Sequence, residues 1–181
     1  MQGIPSNNIN TVLTNKFSLF LLAGLSLLLM QCHKEQTSPP EETDQSLFAK
    51  ATLLTGFTYY KENDSIYRSS PQSAHVAYFR VRFNAIAQAA LTDGGKLPAG
   101  SSFPTGSLIV KELQQDSLGN SPSGYAVMEK LPNDTSQAET WVWAEYNLSG
   151  TGYTINKKGA ICTSCHSMND RDKVRLFNLF P

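Results

Sequence analysis

A Cys-x-x-Cys-His motif, formed by Cys162, Cys165 and His166, lies within the stretch GAICTSCHSMND at 159–170. Two thiols and an imidazole at this spacing are compatible with a disulfide, a zinc site, a redox dithiol or covalent haem attachment. A disulfide would close too short a loop to constrain the unfolded chain much. A zinc site needs a fourth ligand, which His75 or Asp170 would supply only through the fold, because no second Cys/His pair stands at finger spacing.

Haem attachment fits the motif best. A thioredoxin-like dithiol usually lies between a strand and a helix near the start of an α/β unit, whereas this motif comes late in the sequence. Two thiols at this spacing match the two vinyl groups at one porphyrin edge, and the histidine that follows is carried under the ring. The motif therefore predicts one covalently attached haem c, held by Cys162 and Cys165, with His166 as the iron ligand.

The N-terminal residues predict export. Residues 17–30, FSLFLLAGLSLLLM, form an uncharged apolar run that is too short to span a bilayer and is typical of a secretory signal. The run leads into Met30-Gln31-Cys32, which resembles a bacterial lipoprotein processing site. We therefore expect residues 1–32 to be a lipoprotein-type signal peptide with Cys32 lipidated, and residues 33–46, polar and proline-containing, to be a flexible tether.

Export agrees with haem c, because bacteria attach this cofactor on the outer face of the cytoplasmic membrane. The expected location is the periplasm-facing side of a membrane in a Gram-negative-type bacterium, with the lipid anchor as the only membrane contact. Residues 47–181 then remain for one haem domain with a modest core. The formal net charge is zero and no basic cluster is present, so nucleic acid is a poor candidate for a partner.

The pattern of apolar residues predicts a sheet. Strands are expected at 75–83, 107–113, 125–131 and 140–146, with a hairpin turn at 118–124. Asn84 is a candidate N-cap for a short helix over 85–91, and Gly94-Gly95 would stop that helix. Residues 153–159 are expected to lead into the haem motif as a short helical turn. The fold class is therefore α+β: a mostly antiparallel β-sheet with one or two short helices and a single c-type haem near the C-terminus.

The second axial position of the iron has no obvious ligand in the sequence. Met168 lies too close to His166 to cap the opposite face, and His33 is tied to the lipid anchor. His75 and Met128 remain, neither marked by a recognisable spacing. The sequence therefore favours an open iron site that binds small molecules. The alternatives are an electron-transfer cytochrome with a six-coordinate haem and a zinc-stabilised binding protein without redox chemistry.

The order of three segments carries a family resemblance over residues 75–181. FPTGSLIVKEL at 103–113, WVWAEY at 141–146 and GAICTSCH at 159–166 together resemble the cytochrome P-460 family and its relative cytochrome c′-beta. The resemblance implies a mostly antiparallel β fold, a homodimer and one c-type haem with a proximal histidine. It also implies a small diatomic or nitrogenous ligand, with hydroxylamine oxidised or nitric oxide bound, and a redox partner whose identity is unknown.

The resemblance carries one more residue over to Lys111, which matches a lysine that bonds covalently to the haem macrocycle in cytochrome P-460. Lys111 shares a strand face with Ile109 and Leu113, and apolar surroundings favour the neutral, nucleophilic form of an amine. The alternative is a lysine near a strand end whose amine reaches water beside Glu112.

Further candidates come from the strands. Arg80 and Arg82 share a strand face, and their guanidinium groups suit haem propionates, so Arg82 is a candidate cofactor-binding residue; surface ion pairing is the alternative. Trp141 and Trp143 are expected in the core, with a stacking platform for haem as the alternative. His75 is a candidate distal group, with a strand-edge histidine that has a satisfied hydrogen bond as the alternative.

The sequence does not identify the catalytic residues. In the hydroxylamine-oxidising relatives a distal carboxylate, in the region after the VKE strand, accepts a proton. Glu129, Asp134 and Glu139 lie in that region here, and none of them can be aligned with the role. By strand alternation Glu112 points away from Lys111.

Overall fold

A computed structural model describes residues 44–120, 122–132, 140–150, 152–153, 160–167 and 171–180. Within these ranges the helices are α1 (Asp44–Thr52), α2 (Ala85–Ala89), α3 (Ala160–His166) and α4 (Leu176–Leu179), with a 3-10 helix at Tyr60–Glu62. The strands are β1 (Phe57–Tyr59), β2 (Tyr67–Arg68), β3 (Tyr78–Asn84), β4 (Leu108–Gln114), β5 (Pro122–Lys130), β6 (Trp141–Asn147) and β7 (Gly152–Tyr153). The predicted signal peptide with Cys32, the tether up to residue 43 and the turn at 154–159 lie outside the described residues.

The strands pair antiparallel in one sheet. Its order is β1-β3-β4-β5-β6-β7, and β2 pairs with β3 at the end of that strand opposite to β1. The long strands β3 to β6 follow one another in sequence and in space, as in a meander. The predicted α+β class with a mostly antiparallel sheet is confirmed, and each of the four predicted strands overlaps one of these long strands.

Side chains alternate between the two faces of this sheet, so each face carries its own hydrophobic cluster. We call the first the front face; it carries Phe79, Val81, Phe83, Ile109, Met128, Trp141 and Trp143 and packs against α4. The second, the back face, carries Leu108, Val110, Val127, Val142, Ala144 and Tyr146. Helix α1 covers part of the back face with Leu47 and Ala51, which are four residues apart and therefore share one side of the helix.

Helix α2 begins where the sequence predicts. The side chain of Asn84 accepts a hydrogen bond from the backbone N–H of Ala87 at 3.0 Å, which caps the first turn. The same oxygen accepts from the N–H of Leu108, and the Asn84 amide donates to the carbonyl of Gly106. The cap therefore also joins the end of β3 to the start of β4.

The domain starts earlier than predicted. The sequence predicts that residues 44–46 belong to the tether, but they form the first turn of α1. This helix is stabilised because Leu47 and Ala51 are buried against the sheet. Strands β1, β2 and β7 were not predicted, since two or three residues are too few to display a period of two. Among the described residues no helix is both long and apolar enough to cross a membrane.

A buried ionic cluster stands on the back face. Glu112 is 3% exposed, and its carboxylate binds the guanidinium groups of both Arg80 and Arg82, the second at 2.9 Å. The guanidinium of Arg82 also donates to the backbone carbonyls of Ala51 and Leu53, so the cluster ties the end of α1 to the sheet. Removing one partner from such a cluster leaves a charge buried without compensation.

We expect Glu112→Gln to lower the free energy of unfolding by about 3 kcal/mol, because Arg82 would lose its buried counter-charge. Urea denaturation followed by circular dichroism measures this change. The matched control is Asp93→Asn, which removes the half-exposed partner of Arg171 and should cost less than about 1 kcal/mol. Equal losses in the two variants would contradict the structural role given to the cluster.

Candidate functional site

A cavity of about 410 Å³ lies against the front face of the sheet. This volume is within the range of cavities that hold cofactors and small molecules. Strands β3 to β6 form one wall, α3 and α4 contribute further walls, and residues 69–75 close one side. The lining includes Ser69, Ser70, Gln72, Ser73, His75, Phe79, Val81, Ile109, Lys111, Ala126, Met128, Trp143, Glu145, Cys162, Cys165, His166, Val174, Arg175, Leu176, Leu179 and Phe180.

Helix α3 brings the whole Cys-x-x-Cys-His motif to this cavity. Cys162, Cys165 and His166 stand at positions i, i+3 and i+4 of the helix, and such positions share one helix face. Both cysteines are free thiols. Cys162 is partly buried and Cys165 is exposed, and burial is the main cause that raises the pKa of the Cys162 thiol.

The ring of His166 is fixed in orientation and in protonation. Its Nδ1 lies 2.7 Å from the carbonyl oxygen of Lys173. A carbonyl only accepts, so Nδ1 carries the proton and Nε2 keeps a free lone pair. Burial is the main cause that lowers the pKa of His166 to about 4, so the imidazole is neutral at pH 7. Trp143 packs edge-on against the ring at 4.9 Å between centroids.

Lys111 enters the cavity from the middle of β4. Its neighbours across the sheet are Val81 on β3 and Ala126 on β5, and its ammonium nitrogen stands 4.1 Å from the centre of the Phe79 ring. Burial lowers the pKa of Lys111 to about 8, while the charge of Glu145 opposes that shift. The amine thus lies in the apolar surroundings that strand alternation predicts.

The two candidates for a sixth iron ligand both line the cavity. Nδ1 of His75 lies 2.9 Å from Oε2 of Glu145, so this histidine has a partner. Met128 is 7% exposed and stands opposite Trp143 in the register of β5 and β6. Trp141 and Trp143 are buried, and the prediction that they belong to the core is confirmed.

The prediction that Arg82 binds a haem propionate is wrong. Alternation along β3 turns Arg82 to the back face, where Glu112 and two carbonyls hold it, and Arg80 shares that face. Neither arginine lines the cavity. Surface ion pairing does not describe Arg82 either, because its side chain is 2% exposed. The arginine that does line the cavity is Arg175, which follows the haem motif.

The sequence analysis does not identify two charged residues of the cavity, Glu145 and Arg175. Glu145 was within reach, because alternation along TWVWAEY places it on the same face as Trp141 and Trp143, where a carboxylate is unexpected. No sequence signal marks Arg175. Of the carboxylates that were considered, Glu129 lies on the back face with Lys50 at 2.9 Å, and Asp134 and Glu139 lie outside the described residues.

The residues of the cavity fit a haem. Aliphatic and aromatic side chains form most of the lining, and both thiols and the neutral imidazole face the same space. Within the described part of the chain, Nε1 of Trp143 is buried without a hydrogen-bond partner. A buried N–H group normally has a hydrogen-bond acceptor, and an oxygen atom of a group bound in the cavity could accept this bond. The described residues contain no group of three or more His, Cys, Asp or Glu placed to hold a metal ion by themselves.

Comparison with known proteins gives one match at the level of families. The family model described as Cytochrome P460 matches residues 58–176, which is well over half of the chain. The match includes β3 to β6 and the whole of α3, so it covers both the sheet wall and the thiol-bearing helix of the cavity. No curated protein sequence matches the chain significantly.

The burial of Lys111 generates a prediction about pH. Because the pKa of Lys111 is about 8 in the folded state and 10.5 ordinarily, the unfolded chain binds more protons between these values, and stability rises with pH across that window. In haem-free protein with both motif cysteines replaced by alanine, Lys111→Met should add on the order of 2 kcal/mol at pH 7. This gain should shrink as the pH rises from 8 to 10.5.

The measurement is the free energy of unfolding from urea titrations at several pH values. Lys111→Arg is the matched control, since a guanidinium remains charged throughout the range and should bring no gain. A gain in Lys111→Met that does not change with pH would contradict a buried, titrating amine.

Proposed function

The chain belongs to the cytochrome P460 family, and from this premise we propose that it is a mono-haem c-type cytochrome whose haem lies in the front-face cavity. Cys162 and Cys165 hold the haem through thioethers, and His166 binds the iron. Bound haem supplies an iron centre that exchanges electrons and binds small ligands. The observation that carries this proposal is the placement of both thiols, the neutral imidazole and Lys111 around one largely apolar cavity.

The residues around the cavity are suited to binding a haem. Phe79, Leu176 and Phe180 line it with apolar surface, which limits the access of water. The hydrogen bond to the Lys173 carbonyl directs the lone pair of His166 away from the turn that holds Nδ1. Lys111 reaches the same cavity from β4, and we include it among the residues that contact the haem.

We propose that the other axial position is open and that small nitrogen species, hydroxylamine or nitric oxide, bind there. Met128 is the register partner of Trp143, and Trp143 packs on His166, so Met128 would lie near the histidine that we propose as the iron ligand. The family resemblance supports nitrogen species as the ligands.

A second candidate function is electron transfer by a six-coordinate haem, and one observation favours it. His75 lines the cavity, and its Nδ1 is 2.9 Å from a carboxylate oxygen of Glu145. A carboxylate that fixes one ring nitrogen is a common support for a metal-binding histidine. His75 is therefore the residue whose replacement separates the two functions.

Glu145 is the proton acceptor that we propose for hydroxylamine oxidation. It is the only carboxylate among the described cavity-lining residues, and His75 bonds to it. Its side chain is 33% exposed, so a proton taken up at the cavity can pass on to solvent. A base for this reaction must come within hydrogen-bond distance of the substrate. Glu145 lines the cavity in which we propose that the substrate binds.

Export, the lipid anchor at Cys32 and a homodimer complete the proposal. Attachment of haem c takes place outside the cytoplasm, and this agrees with a secretory signal. The redox partner would be met on the same side of the membrane.

We expect protein made with its own N-terminal segment, in a bacterial host that attaches haem c, to be found with membranes and to carry one covalent haem. The ferric and ferrous spectra should be high-spin and should change on addition of nitric oxide. A strongly red-shifted Soret band that disappears in Lys111→Arg would identify a bond between Lys111 and the macrocycle.

Three outcomes separate the possibilities. Colourless protein would contradict both cytochrome functions. A low-spin spectrum that ignores nitric oxide in the wild type and becomes high-spin in His75→Ala would establish electron transfer instead of the open site. A wild-type spectrum already high-spin, and unchanged in spin state by His75→Ala, supports the open site.

We expect Glu145→Gln to lower the turnover of hydroxylamine at least about tenfold, as loss of a general base does, while nitric oxide still binds. Steady-state assays with an artificial electron acceptor measure the turnover. Glu129→Gln is the matched control, because Glu129 lies on the back face, and its turnover should equal that of the wild type. Wild-type turnover in Glu145→Gln would remove Glu145 from the reaction.

A further inference from the structure

The turn at residues 171–173, which precedes α4, has an unfavourable backbone conformation. Asp172 has φ 50° and Lys173 has φ 71°, and neither residue is glycine. Left-handed conformations cost energy for residues with a side chain, and they persist where surrounding contacts hold them. The carbonyl that this turn presents is the one that accepts the hydrogen bond from His166.

The contacts that hold the turn converge on the carboxylate of Asp172. Oδ2 accepts from the backbone N–H of Phe103 at 2.7 Å, and Oδ1 accepts from Nε1 of Trp141 at 3.1 Å. The ammonium group of Lys130 donates to both oxygens at 3.0 Å. The side chain of Asp172 is 9% exposed, so these bonds form where water competes little.

These donors belong to parts of the chain that are fixed independently of the turn. Lys130 ends β5, Trp141 begins β6, and Phe103 lies in the segment before β4. Asp172 thus ties the turn to the edge of the front face. Because Lys173 is the next residue, the position of its carbonyl depends on where Asp172 is anchored.

We propose that Asp172 is a positioning residue for His166, and that through the Lys173 carbonyl it sets the strength of the hydrogen bond at Nδ1. This rests on the proposed function, in which His166 binds haem iron. A stronger bond at Nδ1 makes the other ring nitrogen a better electron donor. Stronger donation favours ferric iron and lowers the reduction potential, so weakening the anchor raises that potential.

The test uses the haem-loaded protein. In Asp172→Asn, spectroelectrochemical titration should give a higher reduction potential than in the wild type. The iron–histidine stretching band in the resonance Raman spectrum of the ferrous protein should move to lower frequency. A role in stability alone would change the denaturation midpoint and leave the Raman band in place.

Asp172→Asn also removes a negative charge, and that alone raises a potential, so Lys130→Gln is the discriminating variant. It loosens the same anchor but removes a positive charge, which by electrostatics alone would lower the potential. The proposal requires a higher potential and a lower iron–histidine frequency in Lys130→Gln. A lowered or unchanged reduction potential in Lys130→Gln overturns the proposal. If Asp172→Asn fails to fold, Lys130→Gln alone is sufficient for the test.

Asp93→Asn is the control for the loss of a nearby negative charge, because the half-exposed Asp93 pairs with Arg171, whereas the described hydrogen bonds of the Asp172 carboxylate come from Phe103, Lys130 and Trp141. Its potential and Raman band should match those of the wild type, and a shift as large as that in Lys130→Gln would overturn the assignment to Asp172. Failure of the proposed function is recognised separately, since the wild type itself would then carry no haem. If Asp172→Asn and Lys130→Gln bind haem normally but keep the wild-type iron–histidine band, the positioning role is refuted and the proposed function is not.

Discussion

The alternation of side chains along β3 to β6 separates the cavity from the ionic cluster. Because successive side chains of a strand point to opposite faces of the sheet, the same strands line the cavity on the front face and the ionic cluster on the back face. Lys111 and Glu112 are neighbours in sequence, yet the first lies in the cavity and the second in the ionic cluster behind it. A shift of register by one residue would exchange the two and destroy both.

Removal from water is the common cause of the chemistry in the cavity. Burial shifts the pKa of Lys111 to about 8 and that of His166 to about 4, in both cases toward the neutral form. Neutral nitrogen atoms are the ones that donate a lone pair. The apolar walls therefore favour the neutral form of both nitrogen atoms, and between pH 8 and 10.5 Lys111 is neutral where free lysine is protonated. Glu145 and His75 add a hydrogen-bonded pair of titratable groups to the same cavity.

The sequence predicts the features that depend on local spacing. Strand periodicity and the Asn84 cap are both local, and the structure agrees with each. The Cys-x-x-Cys-His motif marks the candidate site, and the structure adds that its three side chains share one face of α3. Alternation also predicts that Arg80 and Arg82 share a face. It does not tell which face carries the cavity, because both faces have apolar residues, and for that reason the role given to Arg82 was wrong.

The anchor of Asp172 could not be predicted for a different reason. Its donors lie between 31 and 69 residues away in sequence, and no motif connects them. An aspartate in a polar stretch is usually exposed, so only the folded chain reveals the three partners that Asp172 has among the described residues. The same holds for Glu112, whose burial depends on two arginines of a neighbouring strand and on the end of α1.

The arrangement of the cavity walls has a consequence for the order in which the molecule is assembled. The sheet is a meander of consecutive strands, and its contacts form between segments close in sequence, which favours early formation. Helix α3 follows the sheet in sequence and contacts it through His166 and Trp143. In a chain that folds from its N-terminus, the sheet would therefore form before Cys162 and Cys165 reach it. In the haem protein that we propose, attachment to Cys162 and Cys165 would then take place beside a sheet that has already formed.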